Sequence, residues 1–333
     1  MELSLSLPVP GLSLFDQVEY AKRGEDLGYT TAWVPETQGP DSFVMAAALA
    51  LNTNLKLGTG VIPVYTRAPM VLAMAAASMA NITPHRFVLG LGSSSHTIVG
   101  DWAGIPFEKP LTRVRETVEV VRRALAGEKV TFEGETIRTK NFRLGVRPER
   151  EVPIYVGALN KKMLRLAGEV GDGVWLNMLD ESKVPMVLDE YRAGAKDAGR
   201  EPGPVICRMQ TLVVDDPAPV YNMVRGAMAG YVATPVYNKF FTWLGFVDEA
   251  KGVRDAFARG DREGTAAAMT DDLVRQIVTA GPAEAVAERF ARYGEAGITD
   301  ANIQPLAPGK DAAYATMEAV ATAWDKGGYG GRA

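Results

Sequence analysis

The chain has 333 residues, of which 47% are hydrophobic and 23% are charged, and its formal net charge at pH 7 is −4. This is the composition of a folded globular protein, and its interspersed acidic and basic residues form no basic stripe of the kind that binds nucleic acid. The only cysteine, Cys207, excludes a disulfide framework and a thiolate metal cluster.

No segment has the pattern of a membrane or targeting element. The first residues, MELSLSLPVPG, lack the basic region and the long apolar core of a signal peptide. The longest apolar candidate, residues 42–61, is interrupted by Asn52, Asn54 and Lys56. We therefore expect a cytoplasmic protein without a membrane or nucleic-acid partner.

In chain order, short apolar strands alternate with amphipathic helices. The predicted strands are LSLSL (3–7), TTAWVPE (30–36), LKLGTGV (55–61), RFVLGLG (86–92), VPIYVG (152–157), GVWLNM (173–178), VICRMQTLVV (205–214) and ITDANIQPL (298–306). This alternation predicts parallel βαβ units, and eight of them fit a closed (β/α)8 TIM barrel, an α/β fold. We predict one such domain over residues 1–333. The alternative is a doubly wound open sheet, but no glycine-rich dinucleotide fingerprint follows the first strand.

Local signals place several helix ends. Ser13 and Asp41 precede helical patterns and are predicted N-caps, while Gly28 ends the first helix. Pro69 suits the first turn of the third helix.

Two insertions interrupt the alternation of strands and helices. Residues 129–147 alternate like a hairpin, with Gly134 at the turn. Residues 217–270 are too long for one barrel connection and contain the aromatic-rich stretch VATPVYNKFFTWLGF. Because barrel sites lie at the carboxyl ends of the strands, we predict a late helical insertion that forms an apolar lid there. A peripheral helical layer or an oligomer interface is the alternative.

The third strand has two glycines, Gly58 and Gly60, near its end. Glycine inside a strand indicates a bulge or a place where the backbone closely approaches another group.

The predicted carboxyl ends of the strands are poor in catalytic groups. The chain has two histidines, His85 and His96, and the strand ends bring together too few His, Asp or Cys residues for a metal site. No Ser-His-Asp arrangement is present either. This scarcity favours an enzyme whose chemistry is supplied by an organic cofactor, with no metal.

A turn after the fifth strand is a candidate phosphate site. The strand ends at Gly157 and a helix begins near Lys161. The backbone N–H groups of Ala158, Leu159, Asn160 and Lys161 are expected to be free at this helix N-terminus, where they would bind an anion.

Four stretches carry a resemblance to a known family. LGTGVIPVYTRAPMVLA, RFVLGLG, DWAGIPFEKPLTRVRETVEVVRRAL and YVGALNKKMLRLAGEVGDGVWLN together resemble the bacterial-luciferase-like superfamily. They are most similar to its branch of coenzyme F420-dependent oxidoreductases. The similarity runs from Leu3 to about Leu306 and is weakest between Pro217 and Thr270.

The resemblance implies a cofactor site. It places a cis peptide bond at Gly60–Val61, where a bulge would support the deazaflavin ring and the glycines would let the backbone press against it. It places the cofactor phosphate and tail on the turn from Gly157 to Lys161, with Asn177 nearby. Ser93 occupies the region after the fourth strand in which relatives that oxidise sugar phosphates carry a glutamate.

The resemblance also implies candidate catalytic residues. Glu36 matches an acid near the cofactor, and Thr37 matches a residue that often touches substrate. An ion pair between Glu36 and Arg67 is the alternative for the glutamate. His96 is a candidate for proton transfer because a histidine titrates near neutral pH, and a surface position is its alternative.

The implied reaction is hydride transfer between the C5 position of F420 and a small organic substrate. The resemblance further implies a homodimer or a higher homo-oligomer. One alternative is an FMN-dependent monooxygenase of the same fold. Another is a non-catalytic barrel that binds flavin or another ligand, because fold alone does not determine function.

Overall fold

Strands and helices alternate along the chain in the predicted order. The computed structural model describes residues 1–84 and 86–330. Its strands are β1 (Glu2–Ser6), β2 (Thr31–Val34), β3 (Lys56–Thr59), β4 (Ile62–Pro63), β5 (Phe87–Gly92), β6 (Val130–Glu133), β7 (Arg138–Phe142), β8 (Ile154–Gly157), β9 (Gly173–Asn177), β10 (Val205–Val213), β11 (Val278–Gly281) and β12 (Asp300–Pro305).

Helices connect the strands and cover the outside of the sheet. They are α1 (Leu14–Asp26), α2 (Ser42–Ala50), α3 (Pro69–Ile82), α4 (Pro110–Leu125), α5 (Lys161–Val170), α6 (Val184–Asp197), α7 (Ala218–Ala233), α8 (Pro235–Trp243), α9 (Val247–Ala258), α10 (Arg262–Ala267), α11 (Asp271–Arg275), α12 (Ala283–Ala296) and α13 (Lys310–Lys326), with a π-helix at Thr97–Trp102. Among the residues described, no helix combines the length and the apolar character that crossing a bilayer requires.

The sheet closes on itself. Parallel pairing runs in the order β1, β2, β3, β5, β8, β9, β10 and β12, and β12 pairs with β1 again. The predicted eight-stranded barrel is therefore confirmed, and the open sheet is not formed. Strand β10 is long enough to pair with β9 along its first half and with β11 along its second half.

Inside the barrel, large aromatic side chains face glycines on neighbouring strands. The Trp33 ring occupies the space that a side chain at Gly58 would fill. A Cβ at Gly173 would lie 2.8 Å from the Tyr155 ring. Because only glycine leaves this room, the aromatic rings lie across the barrel and fill its interior.

A buried carboxyl group lies among these rings. Asp300 accepts hydrogen bonds from Ser4 Oγ at 2.5 Å and from Trp33 Nε1 at 2.9 Å. Burial raises the pKa of Asp300 to about 6. The folded protein thus holds a proton here over a pH range in which the unfolded chain releases it.

The predicted caps are present. The Ser13 side chain accepts a hydrogen bond from the Asp16 N–H at the start of α1, and Asp41 accepts two at the start of α2. Pro69 is the first residue of α3.

Both predicted insertions have secondary structure of their own. Strands β6 and β7 form the antiparallel hairpin, and the Gly134 N–H donates to the Ile137 carbonyl at its turn. The later insertion, residues 217–270, contains α7 to α10, and α11 and β11 follow it. The short strands β4 and β11 and the π-helix were not predicted.

Replacing Gly168 with alanine tests the close packing of α5 on α6. A Cβ at Gly168 would overlap the Tyr191 carbonyl oxygen. Gly168→Ala is expected to lower the free energy of unfolding by roughly 1–3 kcal/mol, because the backbone of α6 must move away.

The matched control is Gly226→Ala in α7, where a Cβ meets nothing within 4 Å. This change should raise the free energy by about 0.5–1 kcal/mol, since alanine favours a helix. Denaturant unfolding of both variants gives the two values, and equal effects would contradict the packing described.

Replacing Asp300 with asparagine tests the buried carboxyl group. Above the unfolded pKa of 3.8 and below about 6, only the folded wild type retains the proton. Wild-type stability should therefore fall relative to Asp300→Asn as the pH rises, by roughly 2 kcal/mol between about pH 4.5 and about pH 7. Thermal unfolding of both proteins from about pH 4.5 to about pH 7 measures the difference. A difference that stays constant over this range would show that the carboxyl group does not titrate there.

Candidate functional site

The third barrel strand bulges where its glycines predict an irregularity. Strand β3 ends at Thr59, and the chain rejoins β5 through Ile62 and Pro63. The intervening Gly60–Val61 peptide bond is cis, which confirms the geometry that the resemblance implies. The Gly60 N–H donates to the Val34 carbonyl at 3.0 Å, and the Glu36 N–H donates to the Val61 carbonyl at 3.3 Å.

Side chains of the barrel fill the space beside the glycines of the bulge. A Cβ at Gly60 would lie 2.9 Å from Trp175 Nε1, so this glycine makes room for the barrel's own tryptophan. The Val61 side chain points toward two further glycines, where Cβ atoms would lie 2.6 Å (Gly92) and 3.1 Å (Gly157) from its Cγ2. The rings of Trp33 and Trp175 thus take the room beside Gly58 and Gly60, and contact of the Gly60–Val61 backbone with a cofactor ring stays a prediction.

Polar side chains face the interior at the carboxyl half of the barrel. Within residues 1–84 and 86–330, several of their buried atoms have no hydrogen-bond partner. These atoms are Ser6 Oγ, Trp175 Nε1, Asn177 Oδ1, Arg208 Nε, Asn302 Oδ1 and Gln304 Nε2. They come from β1, β9, β10 and β12. Unpaired buried polar atoms are unusual, so this region has the hydrogen-bonding capacity to receive a polar ligand.

Arg208 is the functional candidate that the sequence reading missed. It is half-buried in the barrel, and its Nη2 donates to Gln304 Oε1 at 2.5 Å. Desolvation lowers the pKa of this guanidinium. The sequence did contain an indication of this residue. Arg208 is a charged residue between Cys207 and Met209 in an apolar strand, and because side chains alternate along a strand, it points to the face opposite to theirs.

The predicted phosphate site is largely, but not wholly, as expected. The Ala158 N–H donates to the Trp175 carbonyl at 3.0 Å, so the prediction that it is free is wrong. Sheet pairing with β9 extends one residue past Gly157 and takes up this donor. In the part of the chain that the structure describes, the N–H groups of Leu159, Asn160 and Lys161 donate to no backbone carbonyl. Helix α5 also has no side-chain cap.

The late insertion contacts this helix terminus. Asn160 Nδ2 donates to the Val236 carbonyl at 3.2 Å, and Lys161 Nζ lies 5.2 Å from the centre of the Trp243 ring. The side chain of Asn177 is a hydrogen-bond neighbour of the Tyr237 hydroxyl. Helix α8 therefore lies at the mouth of the barrel, in the position predicted for a lid.

Glu36 is held in an ion pair. Arg67 Nε donates to both Glu36 carboxylate oxygens, at 3.0 and 3.1 Å, and its Nη2 contacts Glu36 and Asp41. Hydrogen bonding to Glu36 raises the pKa of Arg67. The alternative considered for Glu36 is thus present, and its carboxylate anchors the rim of the barrel. Thr37 is exposed beside it.

The remaining predicted residues lie around the same mouth. The His96 side chain is 74% exposed, and its Nδ1 lies 3.5 Å from Asp101. This is the surface position given as the alternative for His96. Ser93 follows β5 directly and is partly exposed. His85 lies outside the described residues.

A cavity of about 600 Å³ lies beside the barrel and not within it. Its walls come from the loop after β9 and from α7, β11 and α12, and include Glu181, Gln276 and Arg289. None of the predicted site residues lines this cavity.

Comparison with known proteins identifies one protein family and several relatives that agree with it. The family described as luciferase-like monooxygenase matches residues 4–300. A 5,10-methylenetetrahydromethanopterin reductase from Archaeoglobus fulgidus is 31% identical over 311 residues, which cover 91% of this chain and 93% of the relative. An F420-dependent glucose-6-phosphate dehydrogenase from Tsukamurella paurometabola is 28% identical over 286 residues, covering 82% and 79%. The solved structure of the coenzyme F420-dependent tetrahydromethanopterin reductase from Methanopyrus kandleri has a TM-score of 0.80 at 23% identity, covering 98% and 99%.

Proposed function

Because the chain belongs to the luciferase-like monooxygenase family and to its coenzyme F420-dependent branch, we propose that it catalyses hydride transfer between C5 of the deazaflavin and a small organic substrate. The observation that carries this proposal is the set of unpaired buried polar atoms at the carboxyl half of the barrel. It lies where barrel enzymes bind their ligands.

The residues present fit a deazaflavin. Its pyrimidine edge carries carbonyl acceptors and an N–H donor, and the barrel offers both kinds of partner in Trp175 Nε1 and Asn177 Oδ1. The backbone at Gly60–Val61, with Trp175 behind it, forms the adjoining wall. These contacts would orient the ring, while Ser93 lies at the open side.

The N-terminus of α5 fits the cofactor's phosphate. The N–H groups of Leu159, Asn160 and Lys161 remain available there among the described residues. A helix N-terminus favours an anion through its free donors and its dipole. Ala158 contributes to this site by fixing the turn to β9.

Two candidate catalytic residues remain at the rim, Thr37 as a substrate contact and His96 for proton transfer. Both are exposed at the carboxyl side of the barrel. Glu36 is better suited to holding this rim, because Arg67 already engages both of its oxygens.

Titration of the purified protein with F420 and with FMN tests the cofactor assignment. Absorbance and fluorescence should show saturable binding of F420, oxidised or reduced, and no comparable binding of FMN. Binding of FMN alone would support the flavin-dependent monooxygenase instead. Binding of neither cofactor would support the non-catalytic barrel.

Two variants at Asn160 make this titration specific for the phosphate site. Asn160→Asp should weaken F420 binding by roughly three- to tenfold, because a carboxylate at the N-cap repels the anionic tail. Asn160→Ser caps the helix without charge and is the matched control, since both changes remove the contact with Val236. A deazaflavin chromophore that lacks the phosphate should bind both variants equally. Equal F420 affinity of the two variants would contradict a phosphate at this terminus.

We also propose that the chain forms a homodimer through α1, α2 and α3. These helices expose apolar side chains that a single copy leaves in water, including Phe15 (89% exposed), Leu51 (78%) and Val44 (68%). Large exposed apolar patches commonly mark protein interfaces.

Light scattering tests the dimer. The wild type should have twice the mass of one chain, and the double variant Val44→Glu, Leu51→Glu should have the mass of a single chain, because burying two carboxylates is unfavourable. Val247→Glu, at another exposed apolar position (54%) at the start of α9, is the control and should leave the dimer intact. A monomeric wild type would refute the proposal.

A further inference from the structure

Arg208 carries a charge that the described protein does not neutralise. In residues 1–84 and 86–330, Arg208 forms no ion pair with an aspartate or glutamate, and its contact is the neutral amide of Gln304. The titratable groups that act on it are the hydroxyls of Tyr237 and Tyr231. A cation removed from water without a counter-charge is strongly unfavourable, which indicates that a ligand supplies the counter-charge.

The hydrogen-bonding groups around Arg208 require an acceptor. Arg208 Nε has no partner among the described residues, and an arginine can only donate. Because Gln304 Oε1 already accepts from Arg208, the Gln304 Nε2 group is a second unpaired donor beside it. The unpaired acceptors nearby, Asn177 Oδ1 and Asn302 Oδ1, belong to neutral amides in register with Arg208. They can accept a hydrogen bond but supply no negative charge, so an anionic ligand would provide what the guanidinium lacks.

The position of Arg208 suits a substrate group. In the barrel register, Arg208 pairs with Asn177 of β9 and with Asn302 of β12. It is partly open to the mouth, where Tyr237 of the insertion lies beside Asn177. A group bound to Arg208 would therefore lie beneath α8 and within the same half of the barrel as the proposed cofactor ring.

We propose that Arg208 and Gln304 form an oxyanion-binding pocket that receives a carboxylate of the substrate. A planar carboxylate presents two oxygens with about four lone-pair positions, and it matches the forked donors of a guanidinium. The inference rests on the proposed function and narrows its substrate class to small carbonyl or hydroxyl compounds that bear a carboxylate.

The test uses binding to the full chain without cofactor, measured by calorimetry. The probes are two pairs of similar shape, benzoate with benzamide and pyruvate with acetone. We expect the carboxylate of each pair to bind and the neutral partner to bind much more weakly. Arg208→Met should reduce carboxylate affinity by roughly ten- to a hundredfold and abolish the preference.

Variants of Gln304 distinguish an Arg208 that binds a carboxylate from an Arg208 that only stabilises the fold. Gln304→Glu supplies a built-in counter-charge, so it should raise the thermal unfolding temperature and abolish carboxylate binding. Gln304→Met removes the amide without adding charge and is the control. It should retain a preference for the carboxylate. These variants keep the proposal testable if Arg208→Met does not fold.

Three results would overturn the inference. Equal binding of the charged and neutral probes would do so, as would unchanged carboxylate affinity in both Arg208→Met and Gln304→Glu. The third is weaker F420 binding by Arg208→Met together with an intact preference for carboxylates. This result would show that Arg208 pairs with an anionic group of the cofactor and not of the substrate. Failure of the proposed function is separate, because it appears as absence of F420 binding by the wild type.

Discussion

The structure depends on large aromatic rings that face glycines of other strands inside the barrel. Trp33 faces Gly58, Tyr155 faces Gly173 and Trp175 faces Gly60. Each ring extends over a strand that offers only backbone, so a few side chains fill the interior of the barrel. A methyl group at any of these glycines would displace a ring, and the strand register would no longer bring the polar residues together at the carboxyl half.

The polar groups inside the barrel differ in how fully they are paired. Toward the amino half, Asp300 accepts hydrogen bonds from Ser4 and Trp33, and Asn302 Nδ2 donates to the same Ser4 hydroxyl. In the carboxyl half, the amides and the guanidinium exceed the partners that the described residues provide. An open network of this kind is unfavourable in a folded protein unless a ligand completes it. This difference in pairing is the reason for proposing the carboxyl half as the ligand site.

Much of the fold was predictable from the sequence because its determinants are local. The alternation of strands and helices, the caps at Ser13 and Asp41 and the hairpin turn at Gly134 all follow from residue pattern and turn chemistry. The candidate site was less predictable because its determinants are contacts across the barrel. The sequence does not show that Gly60 makes room for Trp175 or that the Ala158 N–H is taken up by β9, and it offered the ion pair of Arg67 with Glu36 only as one of two alternatives. The polar Arg208 in an apolar strand was visible in the sequence, but its missing counter-charge is a property of the surrounding strands.

The contacts between α5 and the insertion have a consequence for the order of binding. Asn160 and Lys161 hold α8 through Val236 and Trp243, and they belong to the turn that offers free donors to an anion. An anion at the turn that recruited the Lys161 ammonium would draw it from the Trp243 ring and from Glu190, whose Oε1 lies 3.7 Å from Lys161 Nζ. Anion binding at the turn and the contact between α5 and α8 would then be thermodynamically linked, and each would alter the equilibrium constant of the other by the same factor.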